Sequence, residues 1–93
     1  MTVEIKIARY ELYPTDEPTS FCVGFQVSVN SRSMYQDTQV SLENAKDKTE
    51  DEIVSIAFVQ IEESISAWIE NAKSKPSVLG TTFTPPVSTG NIN

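Results

Sequence analysis

Histidine is absent from the 93 residues. That removes the commonest general base and the commonest transition-metal ligand. A Ser-His-Asp or Cys-His catalytic site cannot be assembled within the chain, nor can a zinc site built on His. Cysteine occurs once, as Cys22, so no internal disulfide can form and no site needing several thiolates exists. The reading of Cys22 is a small residue on a strand, because neither a nearby cation nor a helix N-terminus is evident to activate it. Glycine is scarce: Gly24, Gly80 and Gly90 are isolated, which leaves no Gly-rich phosphate loop. Basic residues are few and scattered at Lys6, Arg9, Arg32, Lys46, Lys48, Lys73 and Lys75, against 13 acids and a net charge of −6. A surface that neutralises phosphates needs clustered Lys and Arg, so direct nucleic-acid or anionic-membrane binding is not expected. No run is long and apolar enough to span a bilayer. Residues 1–13 mix charged with apolar positions, so no signal peptide is expected and the expected location is cytoplasmic.

What remains is the composition of one small globular domain, 39% hydrophobic and 22% charged. Val3, Ile5 and Ile7 alternate with Glu4 and Lys6, the period of a strand with one apolar face. The phase then changes, since Tyr10 and Leu12 become the apolar positions. A bulge near Ala8–Arg9 reconciles the two halves. The strand ends at Tyr13-Pro14, and a Pro- and acid-rich loop follows to Ser20. Phe21, Val23, Phe25, Val27 and Val29 give the cleanest alternation in the chain, opposite Cys22, Gly24, Gln26, Ser28 and Asn30. A polar turn over Asn30–Ser33 leads into a return strand, Met34 to Leu42, completing a β-hairpin.

Glu43–Lys48 reads as a charged connection. Thr49-Glu50-Asp51-Glu52 then has the form of a capping box, with acids placed at the positive end of the helix dipole. The helix is expected to run to about Lys73 and to stop before Pro76. At 100° per residue, Ile53, Val54, Ala57, Phe58, Ile61, Ile65, Trp68, Ile69 and Ala72 share one stripe. These elements define an α+β fold: a three-stranded antiparallel meander with one long C-terminal helix packed on it, in β-β-β-α order. Residues 1–76 form the domain, and 77–93, rich in Ser, Thr and Pro, form an extended tail.

Asp47, Glu50, Asp51 and Glu52 are the densest acidic group. Their oxygens would suit a hard cation, but the spacing and central glycine of an EF-hand are missing. Helix capping explains them, and no metal, cofactor or catalytic residue is assigned. Trp68 sits on the core stripe, where a large aromatic fills space. Ile56 and Val59 fall off that stripe, beside Glu63 and Ser66. Two β-branched residues one turn apart make a small apolar patch of the kind found at subunit contacts. In the tail, Phe83, Pro85 and Pro86 are the positions able to anchor on a neighbour by groove packing or strand addition.

The chain resembles small phage and prophage proteins: short, acidic, rich in Ser, Thr and Val, with a hairpin, one helix and the Thr/Pro tail VLGTTFTPP over residues 78–86. The resemblance implies a virion component or phage accessory protein. The expected function is a non-catalytic structural, assembly or protein-interaction subunit, with a protein partner or a second copy of itself. The alternative is an acidic inhibitor that mimics nucleic acid and occupies a basic site on another protein. A composite active site shared between subunits is the one route by which an enzyme would escape these exclusions.

Overall fold

A computed structural model describes residues 2–75 and 78–86. Three strands, β1 (Val3–Tyr13), β2 (Ser20–Val29) and β3 (Arg32–Ser41), precede a short helix α1 (Leu42–Ala45) and a long helix α2 (Glu50–Ser74). The sheet is an antiparallel meander in the order β1-β2-β3, with α2 packed across one face. This is the architecture that the two hydrophobic periods predict. Pro76, the expected helix stop, lies outside the described residues, and α2 ends at Ser74 with Lys75 as its cap.

The phase change in β1 is a bulge. Ile7 pairs with Phe25 and Arg9 with Gly24, so Ala8 is the extra residue. It returns Tyr10 and Leu12 to the same face as Val3, Ile5 and Ile7, opposite Val23 and Phe21. The hairpin turn is tighter than the four polar residues suggest. Val29 pairs with Arg32, leaving a two-residue turn in which Asn30 takes a positive φ of 58°, a conformation Asn tolerates. The connection after β3 is not wholly irregular. The Ser41 hydroxyl accepts from the Asn44 N–H at 3.1 Å and starts α1, which buries Ala45.

α2 begins at the capping box read from the sequence. The Thr49 hydroxyl accepts from the Glu52 N–H at 3.2 Å, and the Glu52 carboxylate accepts from the Thr49 N–H at 2.9 Å. Its buried residues are Ile53, Ala57, Ile61, Ile65 and Ala72, flanked by half-buried Val54, Phe58, Trp68 and Ile69. They close on Val23, Phe25, Val27 and Val40 of the sheet. Phe25 and Phe58 meet edge to face at 5.5 Å.

The position of α2 on the sheet decides what stays exposed. It lies over β2 and β3. The row of β3 facing it is not fully apolar, because Gln36 and Thr38 lie between Met34 and Val40. Both polar residues are answered from the helix: the Thr38 hydroxyl donates to Gln60 Oε1 at 2.7 Å, and the Ser64 hydroxyl donates to Gln36 Oε1 at 3.0 Å. Gln60 and Ser64 are one turn apart, so the two bonds hold that flank of the helix along β3. β1, on the far side of β2, is left at the margin of the covered area.

Candidate interaction surfaces

Three surfaces are candidates: the outer side of α2 with the tail, the uncovered face of the sheet, and the β1 margin. Ile56 and Val59, paired in the sequence analysis, are separated by the fold. Val59 is 69% exposed, whereas Ile56 is half-buried and packs against the core cluster. Val59 and Glu63, one turn apart, line a shallow cleft with Gln60, Glu62 and Ser66. Ile56 lines a different one, with Lys48, Asp51, Glu52 and Ser55. The outer helix therefore presents one apolar side chain among acids and not a two-residue patch.

Phe83, Pro85 and Pro86 are exposed, Phe83 at 76%. The tail turns at Leu79-Gly80, where the Thr81 N–H and hydroxyl both donate to the Val78 carbonyl, at 3.0 and 2.7 Å. Leu79 borders a cleft of about 370 Å³ with Arg32, Trp68 and Ala72 at the hairpin end of the molecule. Trp68 is half-buried, packs against the core and lines this cleft. The positions after Pro86 lie outside the described residues.

The sheet face turned away from α2 carries a polar cluster that the sequence analysis does not assemble. Arg9 of β1 pairs with Glu11 on its own strand and reaches Asp37 of β3 at 3.6 Å, spanning β2 at Gly24. Tyr35 donates to Asp37 at 3.0 Å. Its ring lies directly on Gly24: a Cβ there would stand 2.6 Å from Cζ and 2.7 Å from Cε1. Cys22, also on this face, is buried, and burial pushes its thiol above the ordinary value. Tyr35 is shifted up by desolvation, reinforced by its bond to Asp37. The Arg9 guanidinium is held still more firmly protonated by Glu11 and Tyr35. The cluster ties the two outer strands across the middle one and leaves no activated nucleophile. A glycine at the centre of an otherwise regular strand was the available signal for such a close approach. Among the described residues, no group of three or more Asp, Glu or Cys side chains is close enough to hold a metal ion. No described helix is long and apolar enough to cross a membrane.

The β1 margin is the largest departure from an ordinary core. Val3, Ile5, Ile7, Tyr10 and Leu12 face the same side as the core row of β2. Tyr10 stacks on Phe21 at 5.3 Å and is half-buried, as is Val3. Ile5, Ile7 and Leu12 remain 42%, 58% and 46% exposed. A cleft of about 220 Å³ runs between this row and the start of α2, lined by Ile7, Tyr10, Glu50, Asp51 and Val54. The sequence showed these residues to be apolar on one face. It did not show that the helix stops short of them, because that depends on the polar bonds to β3.

No protein-family model, curated protein or solved structure gives a significant match to this chain.

Proposed function

We propose that this protein is a non-catalytic interaction or assembly subunit whose binding surface is the β1 margin. The observation that carries the reading is the row of β1 side chains on the core side of the sheet that the protein's own helix leaves open. Scattered exposed apolar residues need no explanation, but Ile5, Ile7 and Leu12 share one row with Val3 and Tyr10, beside a cleft that Ile7, Tyr10 and Val54 line together with Glu50 and Asp51. Among the described residues β1 is also a sheet edge, whose outward backbone groups can accept another strand. The resemblance to small phage and prophage proteins points the same way, toward a component that works by assembly.

The test is native size analysis of the full chain isolated from cells that make it, beside an Ile7→Lys variant. The expected result is a wild-type complex with protein and a variant that elutes alone. A wild-type chain running alone at 10.3 kDa contradicts the reading. The alternative, an acidic mimic acting through the acids of residues 43–52 and of the outer face of α2, separates by salt. A partner held by charge is released as ionic strength rises. One held by the apolar row is not.

A further inference from the structure

We propose that the partner at the β1 margin is a second copy of this chain, joined by antiparallel pairing of the two β1 edges about a twofold axis at Ile5. The proposal rests on the reading of β1 as the binding surface and names its occupant. Three features of the strand support this arrangement, and the charges among them choose its register.

The first is the direction of the backbone groups. A two-residue turn closes on a hydrogen-bonded pair, here Val29 and Arg32. Odd-numbered β2 residues therefore direct their N–H and C=O toward β3, and even-numbered ones toward β1. The carbonyls at the strand ends agree with this. The Thr19 carbonyl accepts from the Leu42 N–H on the β3 side, and the Tyr13 carbonyl accepts from the Thr19 N–H and the Ser20 hydroxyl on the β2 side. Glu4 and Lys6, opposite Ser28 and Gln26, are thus bonded inward. Val3, Ile5 and Ile7 direct their N–H and C=O to the open edge. A twofold at Ile5 places Ile5 opposite itself and Val3 opposite Ile7, so that every outward group in this stretch meets a partner.

The second is charge. With Ile5 on the axis, Glu4 of each copy stands opposite Lys6 of the other, on the face away from α2. Within one chain Glu4 and Lys6 lie 3.9 Å apart, both well exposed. The two copies then place four charges in alternating sign, each flanked by its opposite along and across the strands. An edge lysine ordinarily guards against pairing. Here it admits one register and rejects others. An axis at Glu4 or Lys6 also pairs outward groups, but it sets like charges face to face. An axis at Ile7 draws the bulge at Ala8 into the ladder.

The third is the apolar face. The same pairing brings the two rows of Val3, Ile5 and Ile7 side by side, as one band between the two α2 helices. Cross-strand aliphatic pairs of this kind are the ordinary unit of sheet stabilisation.

Sedimentation analysis of the purified full chain, with charge-swap variants, tests this. The wild type is expected to show a monomer–dimer equilibrium. E4K and K6E should each weaken it by roughly tenfold, since each replaces two attractive pairs by two repulsive ones. An equimolar mixture of E4K and K6E should recover the dimer as a heterodimer, and the double variant E4K/K6E should recover it alone. Recovery cannot come from a variant that fails to fold. A wild type that stays monomeric to millimolar concentration overturns the proposal. So does a dimer that both single variants leave unchanged, or one that the mixture does not restore. If the pure chain is monomeric yet a different protein is retained through Ile7, the second copy is wrong and the interaction reading stands. If nothing is retained, both fall.

Discussion

At the scale of single residues, the uncovered face of the sheet is organised around Gly24. Tyr35 occupies the space a side chain at that position would fill. Gly24→Ala must push the ring aside and strain its bond to Asp37, although alanine is otherwise the better strand residue. The expected cost is about 1 kcal/mol. In a Tyr35→Ala background the same change should cost nothing or stabilise, as read by a double-mutant cycle in denaturant. Equal costs in both backgrounds would mean that the ring does not depend on the glycine. The buried Cys22 gives a second residue-scale expectation. Its folded pKa lies above the unfolded value because burial disfavours the thiolate. The folded chain then holds its proton where the unfolded chain has lost it, so this contribution is present at neutral pH and falls as pH rises past the ordinary thiol value of 9.0. Tyr10 and Tyr35, also shifted up by desolvation, extend the fall above pH 10. Thermal melts from pH 7 to 11 should show a plateau and then a decline. Cys22→Ala should remove the first part of that decline.

At the scale of elements, the sequence was most legible where one period or one motif acts alone. The capping box fixed the start of α2 at Thr49, and the bulge followed from the loss of phase between Ile7 and Tyr10. Thr49→Ala should cost about 1 kcal/mol by removing the hydroxyl that accepts from Glu52. What was not legible depended on how elements meet. The stripe on α2 identified Ile53, Ala57, Ile61 and Ile65, and each is buried. Helical angle alone put Ile56 with Val59, but burial of Ile56 follows from where the helix rests on the sheet. The same holds for β1, whose alternation reads as a core strand until Gln60 and Ser64 are seen bonded to β3. The contrast is measurable. Ile65→Ala, in the covered core, should destabilise by about 3 kcal/mol. Ile7→Ser, on the uncovered margin, should stay within about 0.5 kcal/mol when both are measured at low protein concentration. A large loss from Ile7→Ser would place that side chain in the monomer's core.

At the scale of the whole molecule, the layers are unequal. One helix covers two strands, and the third strand carries an apolar row on the covered side that stays largely exposed among the described residues. A small domain buries a limited share of its surface, and association is one way to bury more. The proposed pairing requires the outward backbone groups of β1 to be free in the monomer and bonded in the dimer. Amide hydrogen exchange along β1, at low and at high protein concentration, tests it most directly. At low concentration Glu4 and Lys6 should exchange slowly, because they bond to β2, while Ile5 and Ile7 exchange fast. At high concentration Ile5 and Ile7 should become slow as well, with no change at Glu4 and Lys6. Fast exchange at Ile5 and Ile7 at both concentrations would contradict pairing through this edge, as would slow exchange at both.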